Sequence, residues 1–389
     1  MGITTDALGW LRDRQATMVD ELGAFVSIES GSYDVDGVNR VGRELAGAFQ
    51  ELGYSVDRIL ESGCGDHLVA RRDGGGSGHL LALIHLDTVW PAGTLAENPF
   101  RVEDGRAYGP GVLDMKGGWV VLLNALRALD RHGWDGLERT TVFMTADEEL
   151  GSPTGRAHIE ELAGHADWTI VMEPARAGGN LCIQRSMVGA VYLDVTGKTA
   201  HTVYAGDDAA SAIEEIAHKI VALNALSDRE RGVLVNVGTI SGGSARQVIP
   251  DRATVSVDLR APTTAIGDEL LGQVEEIAGR QYVPGTSTTL RGGITRPAYE
   301  ANEGSLRMLA QAQACGRELD LELEGASSQG GSDGSFTGGL GLPTLDGLGP
   351  EGANSCSRDE YVLVDTLPTR AALLAGIIAG LSGMMPPGS

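Results

Sequence analysis

The chain has 389 residues, of which 42% are hydrophobic. That exceeds what one core ordinarily serves, so two domains with a core each are expected. Asp and Glu number 53 against 30 Lys and Arg, and the net charge of −23 repels phosphate backbones and anionic membrane surfaces, which argues against nucleic acid as a partner.

The N-terminus shows no basic region followed by an apolar core, and no apolar span of about 18 residues occurs, so neither a secretion signal nor a membrane anchor is expected. Residues 5 to 30 read as one amphipathic helix, with Leu8, Leu11, Met18, Leu22 and Phe25 spaced for one face. Residues 37 to 52 read as a second helix ending at Gly53. Gly78 to Ile84 is a short continuous apolar run, the pattern of a strand buried on both faces, and it delivers His85 and Asp87 at its C-terminal end. Alternation places these two on one side, where the carboxylate can orient the imidazole through its other nitrogen.

Asp114 follows in a glycine-rich turn that opens into an apolar helix from Trp119 to Leu129. An N-cap role is open to it, and the surrounding glycines equally let the backbone approach a metal centre. A short strand from Thr141 to Met144 then leads to Glu148 and Glu149. A solvated turn would explain such a pair, but carboxylates emerging from an apolar strand otherwise require a neutralising cation. Trp168 to Met172 is a further buried strand, and it delivers Glu173.

From about Leu181 the pattern changes to alternating strands, at 188–195, 233–240 and 254–259, with a helix over 210–226. An inserted domain is expected here, with return to the first domain near 291–297 and a helix at 305–315. The segment from Gly325 to Gly341 is rich in Gly and Ser. A linker of that length inside a domain is improbable, so an ordered binding loop is expected. A helix from about Leu367 to Met384 closes the chain. Cys64, Cys182, Cys315 and Cys356 lie far apart without a CxxC pair, which suits a reducing cytoplasm better than a disulfide framework. The first three read as small buried hydrophobes.

His85-x-Asp87, Asp114-Met115-Lys116-Gly117-Gly118, Glu148-Glu149, Glu173-Pro174, the Gly-rich segment and Ser357-Arg358-Asp359-Glu360-Tyr361 together resemble the co-catalytic di-zinc metallopeptidase family of aminoacylases, deacetylases and glutamate carboxypeptidases, and glutamate carboxypeptidase most of all. The motifs occur in order over nearly the whole chain. The resemblance implies an α/β fold: a mixed-sheet, zinc-peptidase-like catalytic domain over 1–184 and 293–389, and an inserted α+β lid or dimerisation domain over 185–292. It implies two Zn2+ ions, with His85 and Glu173 on one, Asp114 bridging, and Glu149 on the second. Glu148 would be the general acid/base and Asp87 the partner of His85. His201 would stabilise the oxyanion from the lid, while Asn236 and Arg296 would contact substrate, Arg296 clasping a free carboxylate. For Arg296 a surface salt bridge is the other reading. A cytoplasmic homodimer acting on a small peptide or N-acyl amino acid is the implied assembly and substrate class.

Two departures qualify the resemblance. The family follows the lid histidine with glycine, proline and glycine where this chain has Val203, Gly206 and Ala209. Cys356 stands where the last zinc ligand, a histidine, is expected. A thiolate there could hold the second zinc; it could instead give a less Lewis-acidic metal suited to other chemistry; or a neutral thiol could leave only the His85 site filled. A zinc-dependent amidohydrolase is the leading function, and a repurposed biosynthetic enzyme or ligand-binding protein is the alternative.

Overall fold

The computed structural model describes residues 2–206 and 209–384. It divides into two compact units, the first comprising Met1–Gln184, Glu300–Ser327 and Ser332–Ser389, the second Arg185–Tyr299 and Ser328–Gly331.

The first unit is built on a six-stranded mixed sheet. Its strands in chain order are β1 (Ser55–Ile59), β2 (His67–Asp73), β3 (His79–His85), β4 (Arg139–Thr145) and β5 (Trp168–Val171), joined by a short strand at Thr344–Leu345. The spatial order is β1-β2-β4-β3-β5 followed by 344–345. β3 runs parallel to both neighbours, whereas β2 is antiparallel to β4. Strand alternation divides β3 between two cores: Leu80, Ala82 and Ile84 enter one that includes Trp119, Leu374 and Ile377, and Leu81 and Leu83 enter another with Ile159 and Phe336. Helices therefore cover both faces, as the unbroken apolar run of β3 requires. Edge strand β1 is mostly exposed and carries no such run, so the sequence pattern did not reveal it.

Two expectations need correction. The span 5–30 is two helices, Ile3–Asp13 and Gln15–Val26, separated at Arg14, whose φ of −98° and ψ of 1° leave helical geometry. Apolar periodicity continues through such a break, which is why it was invisible. The Gly-rich segment is ordered, as expected, but instead of a loop throughout it forms a strand at Gly325–Ser328 and a helix at Gly334–Gly339.

The second unit is a four-stranded antiparallel sheet of β6 (Met187–Thr196), β7 (Leu234–Gly242), β8 (Arg252–Ala261) and β9 (Ser287–Arg296), in the order β7-β8-β6-β9. Helices Ala212–Asn224 and Thr264–Gly279 cover one face, and Val191, Val195, Val255, Leu259, Ile216 and Leu270 form the shared core. The expected boundary at 292/293 would cut β9, which pairs with β6 as far as Arg296. The chain leaves this unit after Tyr299 instead.

Candidate metal centre

β3 lies between β4 and β5 and parallel to both, with His85 opposite Thr145 and Leu83 opposite Val171. The C-terminal ends of three strands are thus side by side, and whatever follows them converges at one edge, the usual place for a site in such a sheet. His85 ends β3, Glu148 and Glu149 form a short turn just beyond β4, and Glu173 follows β5. Asp114 comes in from the turn ahead of helix Gly117–Arg131, and its bond to Met115 is cis.

His85 Nε2 lies 3.1 Å from Asp114 Oδ1 and 3.8 Å from Glu173 Oε1. Cys356 Sγ is 3.7 Å from Asp114 Oδ2. His85, Asp114 and Glu173 form one group, and Asp114, Glu149 and Cys356 another, with one donor atom of each residue within 4.8 Å of the others. Asp114 belongs to both groups. Burial pushes the Glu149 carboxyl up to about 9, His85 opposing and Asp114 and Glu148 adding to the rise, and its Oε1 is buried without a hydrogen-bond partner. Burial disfavours charge on His85, but Asp114 and Asp87 outweigh it and hold its pKa well above the ordinary value. Partial burial, with Asp114 and Glu149 beside it, pushes the Cys356 thiol up as well. Carboxylates crowded around one imidazole and one thiol, with an orphaned buried oxygen among them, suit two cations sharing a bridging carboxylate. The nitrogen, oxygen and sulfur donors match zinc-like ions.

Asp87 meets the other nitrogen of His85 through its main chain and its carboxylate, and it has a further role besides. The closest contact of His85 Nδ1 is the main-chain carbonyl of Asp87 at 2.9 Å, with the carboxylate at 3.6 Å. That carboxylate accepts from the backbone N–H of Glu148 at 3.0 Å, of Glu149 at 3.2 Å, and from the Ser32 hydroxyl at 2.7 Å. It therefore clamps the turn that carries both glutamates. Glu360, which the motif contained without an assigned role, accepts from the N–H groups of Leu113 at 2.7 Å and Asp114 at 3.0 Å and so orients the shared carboxylate. Burial raises its pKa to about 7.

A third donor group, Cys64, His67 and Asp147, is fully buried behind the turn. Proton accounting makes it a hydrogen-bond cluster. Ala146 N–H donates to His67 Nδ1 at 3.0 Å, so the ring proton is on Nε2 and points at Thr154 Oγ1, 2.9 Å away. The threonine hydroxyl in turn donates to Asp147 Oδ2 at 2.7 Å. A metal on Nε2 would have to displace the ring's remaining proton. With Asp333, which accepts from Thr145 and Ser152, the cluster anchors both ends of the Glu148 turn. These partners are far apart in sequence and carry no spacing signal.

The remaining predicted residues belong to the second unit. His201 is exposed, its Nδ1 accepting from Val203 N–H at 3.2 Å. Asn236 is exposed on edge strand β7, and Arg296 lies on the opposite edge strand β9. Arg296 is 5% exposed, which removes the surface salt-bridge reading. Its side chain packs against Gly331, where an added Cβ would come within 2.4 Å of Arg296 Cδ.

A family model described as peptidase family M20/M25/M40 matches residues 81–380. The chain belongs to the M20 peptidase family. Carboxypeptidase G2 from Pseudomonas sp. is 32% identical over 375 residues, spanning 95% of this chain and 90% of that protein. Succinyl-diaminopimelate desuccinylase from Alkalilimnicola ehrlichii is 27% identical over 361 residues, 87% of this chain and 93% of that protein. Among solved structures, a tripeptidase from Staphylococcus aureus superposes with a TM-score of 0.77 at 20% identity, covering 95% of this chain and 99% of that one, a likeness of fold. As an M20 member the chain is a metallo-hydrolase of peptide or N-acyl amide bonds. Reading it as a repurposed, non-hydrolytic member is not favoured. Among the described residues, no helix is long and apolar enough to cross a membrane.

Proposed function

We propose that this M20 hydrolase is a two-zinc enzyme that cleaves the amide bond between an acyl group and an amino acid with a free carboxylate, in the manner of a glutamate carboxypeptidase. The observation that carries the reading is the pair of ligand groups sharing Asp114, with Glu148 on the same turn as Glu149 and outside both groups. His85 and Glu173 would hold one zinc, Glu149 and Cys356 the other, with Asp114 between them. When bound, the ions would supply Lewis acidity, lowering the pKa of water and polarising the scissile carbonyl.

Glu148 takes the proton of the attacking water and delivers it to the leaving nitrogen, a role worth about 10²–10⁴ in rate. Its backbone N–H is held by Asp87, which fixes the position on the turn from which the side chain starts. Arg296 is the group for a bidentate clasp of the substrate carboxylate, its burial strengthening such an ion pair. His201 is the donor for the developing oxyanion, and Asn236 a further substrate contact. A homodimer formed through the second unit and a cytoplasmic location complete the reading; four free cysteines accord with a reducing compartment.

The test is Glu148→Gln assayed on N-acyl-glutamates beside metal analysis. The expected result is loss of kcat by at least about 10²-fold with metal content unchanged. Loss of metal would make Glu148 a ligand, and retained turnover would end its role as base.

A further inference from the structure

Helix Thr366–Leu381 packs Leu367, Leu374 and Ile378 into the main core of the first unit, yet it also buries a guanidinium, that of Arg370, to 1% exposure. Burial pushes its pKa down to about 10, with Glu351 opposing. Taking a cation out of water is costly unless hydrogen bonds replace the lost hydration. Here the replacements are three main-chain carbonyls. Nη1 donates to Gly179 O at 2.7 Å, Nη2 to Gly347 O at 2.7 Å and Nε to Gly349 O at 2.9 Å. A planar fork of fixed donors thus holds a turn, 347–349, that lies outside helix and strand.

That turn reaches the metal centre. Leu348 N–H donates to Val171 O at 3.2 Å, at the end of β5, and Gly349 N–H donates to Glu173 O at 2.9 Å. A Cβ on Gly349 would come within 2.5 Å of Met172 O and 2.7 Å of Glu173 O, and one on Gly118 within 2.3 Å of Met172 O. The main chain of 172–173 therefore packs directly on two glycines. With contacts that close there is no slack, and a shift of the 347–349 turn passes to the backbone that carries Glu173.

We propose that Arg370 is a positioning residue for the first metal site, that of His85, Asp114 and Glu173: by holding the 347–349 turn it fixes the backbone from which the Glu173 carboxylate reaches the other two. The proposal rests on the two-zinc reading above and assigns an outer support to one of its ligands. Glu149 and Cys356, the separate ligands of the second site, stand on other segments of the chain. The effect of Arg370 is accordingly confined to the first site.

The experiment measures zinc affinity by chelator competition, with Cys356→Ala as the background that leaves the first site and His85→Ala as the one that leaves the second. Adding Arg370→Lys keeps the charge and removes the fork. It is expected to weaken zinc at the first site by about 10- to 100-fold, the range for outer-shell partners, and to leave the second site unchanged. A merely structural role would lower the stability of the metal-free chain in urea without moving one site against the other. Equal loss at both sites, or loss at neither, would overturn the proposal. Should Arg370→Lys prevent folding, wild type decides through linkage: zinc should slow amide exchange at Leu348 and Gly349 by at least about fivefold more than in helix Val35–Glu51. Equal slowing would overturn the proposal too. A wild type that binds no zinc would overturn the two-zinc reading and the positioning role with it, whereas normal zinc binding with no response to Arg370→Lys ends the positioning role alone.

Discussion

Cys356 is the residue at which chemistry and family pattern diverge. It adopts a φ of 61°, in the left-handed region, at the end of the turn that brings its sulfur to Asp114. A thiolate reaches zinc at a length similar to imidazole but brings a negative charge, favouring zinc over harder ions and tempering its Lewis acidity. Burial first, and then the neighbouring carboxylates, favour the protonated thiol, and a bound cation would offset both. With zinc present, Cys356 is expected to resist alkylation until a chelator is added, and the chain to carry about two metals. Cys356→Ala should lose one of them, whereas Cys356→His should keep both and hydrolyse at least as fast. Free alkylation of a zinc-loaded protein holding at most one metal would remove Cys356 from the site.

At the scale of elements, the strands bring the candidate ligands to one edge and a buried network fixes the turn between them. His67 is the part of that network that titrates. Burial lowers its pKa, and its neutral tautomer is needed both to accept from Ala146 and to donate to Thr154. Unfolding returns the ring to an ordinary value near 6.5, so below that pH the unfolded chain binds the extra proton and stability falls as pH drops. The contribution is fully present above the unfolded value. His79, also depressed by burial, acts in the same window. In urea unfolding at stepped pH, His67→Gln should therefore lose stability less steeply below pH 6.5 than wild type, since an amide does not titrate. Equal slopes would mean that His67 is already charged in the folded protein.

For the whole molecule, the second unit leaves β7 as an edge strand with exposed residues along most of its length, Ile240 among them at 58%. Helix Ala212–Asn224 packs on the same sheet and exposes Val221 at 72%. An open edge beside an apolar helix face is a template for pairing with a second copy across a two-fold axis. Light scattering at micromolar concentration should give twice the chain mass, and Val221→Asp should shift it toward one. A monomeric wild type would contradict the dimer and restrict His201 to its own chain.

Fold class and family were legible in the sequence, as were the candidate ligands now found together at the strand ends, because each depends on local order. An apolar run that ends in His85 or Glu173 states both the strand and the chemistry at its tip. The amphipathic helices were legible for the same reason, although the break at Arg14 and the edge strand β1 were not, since neither interrupts or creates a hydrophobic period. Only the tertiary structure decided which backbone groups the Asp87 carboxylate clamps, that Glu360 orients Asp114, and that Cys64, His67 and Asp147 form a hydrogen-bond cluster. Those assignments depend on the direction of individual protons and on partners from distant segments. Their geometry exists only once the sheet has set the strand ends side by side.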